Sequence, residues 1–168
     1  MAKKLLSLLL AVLMLFSIVG CAAVPVQQAQ DNEETVSDNQ NEGENQIAQD
    51  GYYYDLESVV LYLDEYGTLP DNFITKSEAR QLGWEGGPVD KYLDGAAIGG
   101  DRFGNREGQL PTAAGRTYTE CDIDTLGQSS RGAKRLVFSN DGLYFYTDDH
   151  YETFSELYVT DGGEVAWK

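Results

Sequence analysis

The sequence predicts an α+β domain over residues 52–168, with helices packed on one face of an antiparallel sheet of about five strands. Apolar residues recur at helical spacing between residues 55 and 93, and from residue 97 onward short β-branched and aromatic runs alternate with turn residues. Neither an internal repeat nor a nucleotide-binding Gly pattern is present. Helices first and strands afterwards place the helices on one side of the sheet, whereas regular alternation would imply a parallel sheet wrapped on both faces.

The first 51 residues stand apart. Lys3 and Lys4 precede an apolar run over residues 5–19 that closes on Ile18-Val19-Gly20-Cys21, the pattern of a secretory signal. These last residues resemble the bacterial lipobox, which implies a diacylglyceryl group on the Cys21 thiol, cleavage before Cys21 and a membrane-anchored extracellular protein. The alternative is an ordinary signal cut near Ala22 or Ala23 and free secretion. About 15 apolar residues fall short of the roughly 17 to 25 that span a bilayer as a helix. Residues 22–51 are rich in Gln, Asn, Asp, Glu and Ser and contain no Lys or Arg. Such a segment cannot offset its ordering entropy, so it reads as a disordered acidic linker.

In the domain, Leu56, Val59, Val60 and Leu63 share a helix face, and Gly67 and Pro70 end that helix. Thr75 and Glu78 form a capping-box pair ahead of Ala79 and Leu82, which starts a second helix. A short third helix is expected at residues 89–93. Strands are expected at 97–103, 116–124, 135–139, 143–148 and 153–160, with Asn140-Asp141-Gly142 as a hairpin turn. Asp161-Gly162-Gly163 marks a further turn, and the residues after it receive no assignment. Cys121 falls in an alternating strand and reads as a small buried apolar residue, not as a disulfide partner of Cys21.

Few side chains suit chemistry. His150 is the one histidine of the sequence and follows two aspartates at a strand end. An imidazole titrates near neutrality, which fits proton transfer, although a lone histidine is often simply exposed. In the strand around residue 120, Glu120 and Asp122 share one face and Cys121 and Ile123 the other, so the carboxylate face is expected to stay out of the dry core. Arg131 and Arg135 flank the start of the next strand and can approach both carboxylates. That grouping suits either a solvated salt-bridge lattice or a phosphate site. From residue 52 onward, 21 acidic side chains outnumber 10 basic ones, leaving −11 of the chain's −16. A polyanion would therefore be captured weakly.

Four blocks in order, LPDNFITKSEARQLGW from Leu69, IGGDRFGNREGQLP from Ile98, GRTYTECDI from Gly115 and DHYETF from Asp149, resemble the barnase-like microbial guanyl-specific ribonucleases. The resemblance runs from about residue 56 to 157. It implies a metal-independent endoribonuclease without cofactor that cleaves single-stranded RNA 3′ to guanosine through a 2′,3′-cyclic phosphate. Glu120 would be the general base and His150 the general acid, while Arg131, Arg135 and Lys76 would hold the phosphate and Asp122 would orient the arginines. Guanine would be read by the loop Gly104, Asn105, Arg106 and Glu107, with Tyr151 stacked on the base. Without the resemblance, this loop reads as a plain hairpin connection. Barnase has Ser where this chain has Gly104, a change that keeps the backbone contact and loosens the loop. A monomer and a barstar-like protein inhibitor are also implied. The competing expectation is a catalytically weak binding module of the same fold that recognises a protein partner.

Overall fold

A computed structural model describes residues 47–168. The signal, Cys21 and most of the linker therefore lie outside the described residues. Residues 47–51, assigned by composition to the linker, are bonded to the domain: the hydroxyls of Tyr66, Tyr53 and Tyr62 donate to the carbonyls of Ile47, Ala48 and Gln49. The ordered domain thus begins ahead of the expected residue 52. Tyr62 packs between Tyr53 and Tyr66, with ring centroids 5.6 and 4.6 Å away.

Helix α1 spans Leu56–Tyr66, capped by the Asp55 carboxylate on the Ser58 amide and ended by Gly67 in the left-handed region. Helix α2 spans Lys76–Gln81 behind the Thr75–Glu78 capping box. The third expected helix is a single 3₁₀ turn, Val89–Lys91. The sheet contains seven strands in sequence order: β1 Phe73–Ile74, β2 Ala97–Phe103, β3 Tyr118–Asp122, β4 Arg135–Ser139, β5 Tyr144–Thr147, β6 Ser155–Val159 and β7 Val165–Trp167. β1 runs parallel to β2, and every later pairing is antiparallel. The α+β expectation holds, with two strands more than the sequence implied. β1 and β7 are two and three residues long, too short for a period-2 pattern to register. β7 covers the outer edge of β6, and the Lys168 ammonium reaches Glu156 there at 2.7 Å.

Val59, Val60 and Leu63 of α1 pack on Cys121, Ile123, Leu136, Tyr144 and Leu157, the main core. Each such side chain stabilises the fold by roughly 1.5–3 kcal/mol through burial. Burial also pushes the Cys121 thiol well above its ordinary pKa, consistent with an inert apolar role. A second cluster joins Ala79 and Trp84 to Val89, Ala96 and Ile98. On the opposite face of the sheet, Leu110, Tyr118, Val137 and Phe145 form a third cluster, bordered by Phe103, Tyr151 and Phe154.

A bulge in β2 decides which residues face that second side. Gly99 pairs with Cys121 but Asp101 pairs with Glu120, so Gly100 is the extra residue, at φ +92°. Regular pairing would put Asp101 on the α1 side of the sheet; the bulge turns it toward Glu120. Gly99 is just as constrained, since a Cβ there would sit 2.6 Å from the Phe73 ring and 2.7 Å from the Cys121 Cβ. Gly99→Ala is expected to lower stability by about 1–3 kcal/mol, the usual scale of overpacking. Urea unfolding measures it, and an unchanged midpoint would contradict the close approach.

Candidate functional site

Glu120 sits in the middle of β3, opposite Asp101 on one side and Val137 on the other. Its two carboxylate oxygens have separate partners. Oε1 accepts from the Lys76 ammonium, and Oε2 accepts from the Tyr151 hydroxyl at 2.8 Å. Lys76 is the first residue of α2, and its backbone amide donates to Asp101 at 2.9 Å. The bulge therefore links the start of α2 to the strand that carries Glu120. Burial first, and then the Glu120 carboxylate, push the Tyr151 hydroxyl well above the usual phenol range, so it remains a donor to Glu120.

Tyr151 is also the link to His150. The two rings lie 4.8 Å apart, and the other neighbour of Tyr151 is Phe103, stacked at 5.4 Å. Both His150 and Tyr151 adopt left-handed backbone, at φ 59° and 74°. Consecutive non-glycine residues in that region cost of order 1–3 kcal/mol each, so the surrounding chain must hold them. Asp149 does so: its carboxylate accepts from the Thr147 hydroxyl, the Glu152 and Thr153 amides and the Thr153 hydroxyl, at 2.6 to 3.0 Å. Thr147 in turn accepts from the Tyr151 amide at 3.0 Å.

These bonds, led by the Thr153 hydroxyl and followed by its amide and Thr147, draw the Asp149 pKa from 3.8 to about 2. A depressed carboxyl stabilises the fold above its unfolded pKa and loses that contribution as pH falls toward the folded value. The loop should therefore stay ordered above about pH 4 and loosen between pH 4 and 2, and Asp149→Asn should loosen it at neutral pH. Backbone amide exchange at Glu152 and Thr153 reads this; protection that does not change in the variant would remove Asp149 from the role.

A second knot lies two residues further along β3. Asp122 is only 2% exposed, contrary to the expectation that its face of the strand avoids the dry interior. Two guanidinium groups allow the burial. Arg131 donates from Nε and Nη2 to the two oxygens at 2.7 Å each, and Arg135 Nε lies 3.0 Å from Oδ1, an ion pair whose angle falls short of an aligned hydrogen bond. Arg135 spends its other nitrogens on the carbonyls of Arg131, Gly132 and Lys134, holding the loop between β3 and β4. Arg131 keeps partial exposure, and its guanidinium lies 5.6 Å over the Trp84 ring.

The loop Gly104, Asn105, Arg106 and Glu107 follows β2 directly. Asn105 is at φ 44°, and its amide side chain bonds both the Leu110 amide and carbonyl, at 3.0 and 2.8 Å. Its side chain is thus committed to closing the loop, while Arg106 and Glu107 are exposed. An open groove of about 580 Å³ is lined by Arg102, Phe103, this loop and Glu120. A neighbouring one of about 400 Å³ is lined by Phe103, Asn105, Glu107, Gln109, His150, Tyr151, Glu152 and Phe154. The structure thus gathers Glu120, Tyr151, His150 and the 104–107 loop around two adjoining grooves that share Phe103, Asn105 and Glu107, with Lys76 bonded to Glu120. Asp122 and Arg135 are almost fully buried beside them, and Arg131 is partly exposed.

Sequence reasoning missed Asp101, Phe103 and Asp149. Asp149 carried a usable signal, an Asp followed four residues later by Thr, which favours a side-chain-closed turn. Asp101 carried none, because only the bulge aims it. Among the described residues no group of three His, Cys, Asp or Glu side chains is arranged to hold a metal ion.

Comparison with known proteins points in one direction. The ribonuclease family model matches residues 56–158. A ribonuclease of Heyndrickxia coagulans is 48% identical over 104 residues, covering 61% of this chain and 94% of that protein. A ribonuclease of Bacillus intermedius is 48% identical over the same length, covering 61% of this chain and 64% of its own. The guanyl-specific ribonuclease St of Saccharopolyspora erythraea is 44% identical over 70 residues, 42% of this chain and 64% of that protein.

Proposed function

Because the chain belongs to the ribonuclease family, with more than half of its length matched, we propose that it is an exported endoribonuclease cutting single-stranded RNA 3′ to guanosine through a 2′,3′-cyclic phosphate. The observation that carries this reading is the shared position of Tyr151, bonded to Glu120 and ring to ring with His150 where two grooves adjoin.

Glu120 takes the proton of the ribose 2′-hydroxyl as that oxygen bonds to the adjacent phosphorus. The bond from phosphorus to the 5′-oxygen breaks, and protonated His150 supplies the proton to the departing oxygen. In the later hydrolysis of the cyclic phosphate, His150 accepts a proton from water and Glu120 returns one to the 2′-oxygen. Lys76, Arg131 and Arg135 place positive charge where the phosphoryl oxygens gain negative charge, and Asp122 orients the two arginines. With acid, base and charge all drawn from side chains, the mechanism calls for no metal ion or cofactor. DNA lacks the attacking hydroxyl and is excluded as a substrate.

Guanine offers an acceptor at O6 beside donors at N1 and the exocyclic amine. Backbone amides of residues 104–106 suit the acceptor and the Glu107 carboxylate suits the donors, both on a loop that Asn105 has already closed. Tyr151 serves mainly to orient Glu120 in this reading, and base stacking is left to the part of its ring that borders the cleft. Export and a lipid on Cys21 belong to the same proposal, on the strength of the signal pattern in residues 1–21. A barstar-like inhibitor in the producing cell belongs to it as well, since an active ribonuclease endangers its maker.

The test is incubation of the purified protein, with a chelator present, with an RNA containing one guanosine. Cleavage on its 3′ side with a cyclic phosphate product supports the reading, and uncut RNA at low salt overturns it. The −11 charge of residues 52–168 favours one other reading, a surface module that binds a protein partner, and uncut RNA would decide for it.

A further inference from the structure

We infer that Arg102 forms a subsite for the phosphate on the 5′ side of the guanosine, so that the protein prefers a guanosine joined to an upstream nucleotide. The inference rests on the endoribonuclease reading and extends it from the scissile phosphate to the one before it.

Among the described residues, six Lys and Arg side chains are held in ion pairs: Lys76, Arg116, Arg131, Lys134, Arg135 and Lys168. Arg80, Lys91, Arg102 and Arg106 form none with any other described residue. On a surface with twice as many acidic as basic groups, an unpaired guanidinium is conspicuous. Arg102 and Arg106 are both exposed and both line the groove that contains Glu120. Arg102 alone of the two also lines a second groove, of about 190 Å³, which leads past Gly104 and Asn105 to Thr112, Arg116 and Thr117. The two grooves share Arg102, Phe103, Gly104 and Asn105, so a single strand can pass from one to the other around the loop.

The direction of that strand follows from the assigned chemistry. His150 meets the departing 5′-oxygen of the next nucleotide, and it lines the groove that Arg102 does not. Glu120 meets the 2′-hydroxyl of the guanosine ribose, and it lines the groove that Arg102 does. With guanine in the 104–107 loop, the chain leaving the ribose through its 5′-oxygen runs toward Arg102, and Thr112 and Thr117 offer hydroxyl donors beyond it. A phosphate there gains a charge-assisted hydrogen bond and meets no carboxylate among the groove's lining residues.

The experiment compares two short substrates, guanylyl-3′,5′-adenosine with and without a 5′-phosphate, cleaved by the purified protein and by its R102A and R102E variants. The 5′-phosphate should raise kcat/KM of the unaltered protein by about fivefold, the upper scale of one exposed ion pair. In R102A the ratio of the two substrates should fall to about 1, and in R102E below 1. Longer RNA should show a salt dependence shallower by about 0.7 in the R102A variant, one phosphate contact on a single strand. A ratio of about 1 in the unaltered protein, or one that survives in R102E, overturns the subsite while leaving the endoribonuclease intact. Failure to cleave either substrate instead defeats the underlying reading. Arg102 is exposed near the end of β2, so neither substitution disturbs a packed residue.

Discussion

Replacing His150 by Gln is expected to lower turnover on a guanosine-containing RNA by about a hundredfold or more while leaving the fold unchanged. The magnitude is that of a general acid removed from a transition state in which proton transfer is partly complete. The fold should be unaffected, because the imidazole is exposed and makes no side-chain hydrogen bond among the described residues. The loop that carries it is held by Asp149 and Thr147 instead. Glu120→Gln should be at least as damaging, since an amide keeps the shape but offers one acceptor oxygen to the two donors Lys76 and Tyr151 and cannot take up a proton. The two losses should not add, because acid and base serve one transition state. Single-turnover cleavage with circular dichroism on the same samples checks both statements. Near-normal turnover in the His150 variant would remove it as the proton donor, and a collapsed spectrum would mean that the loop depends on the ring after all.

Asp122→Ala should cost about 3–5 kcal/mol of stability. Its two oxygens carry three close contacts from two guanidinium groups, and Arg135, with a side chain only 3% exposed, has no other carboxylate partner among the described residues. Removing one member of a buried pair leaves the other charge desolvated and uncompensated, which is why the loss exceeds the net worth of the pair. Such a loss is a large share of the 5–15 kcal/mol that small domains possess. The contrasting case lies two residues away. Asp124 pairs with Lys134 at 2.6 Å, but both side chains are nearly half exposed, and Asp124→Ala should cost no more than about 1 kcal/mol. Denaturant unfolding of the two variants side by side measures the difference. Equal midpoints would show that the Asp122 cluster is worth no more than a surface pair. Turnover should fall in the Asp122 variant as well, because Arg131 loses the contact that aims it.

Much of this protein was readable before any coordinates. The first two helices were marked by their caps, Asp55 and Gly67 around one and the Thr75–Glu78 box ahead of the other, which act through backbone groups within a turn of the chain. Strands β2 and β4 have the expected bounds because β-branched and aromatic residues there are flanked by turn residues. The third helix shrank to one 3₁₀ turn, since Gly86, Gly87 and Pro88 before it and Gly95 after it leave few residues to propagate. The burial of Asp122 departs from the expectation for a different reason. Alternation along a strand says which residues share a face, but not that two arginines from another loop will close over one of them.

What the amino-acid order determined unaided is whatever acts over a few residues: helix caps, strand alternation, the hairpin at Asn140-Asp141-Gly142, the charge, and the set of titratable groups on offer. What only the tertiary structure decided is which of those groups meet. Lys76 and Tyr151 reach Glu120 from 44 and 31 residues away, and Asp101 joins them solely because one extra glycine rotates a strand by half a pleat. Pairings at such separations are set by sheet register and by packing against α1, which depend on the whole chain at once and leave no mark in any local stretch of it.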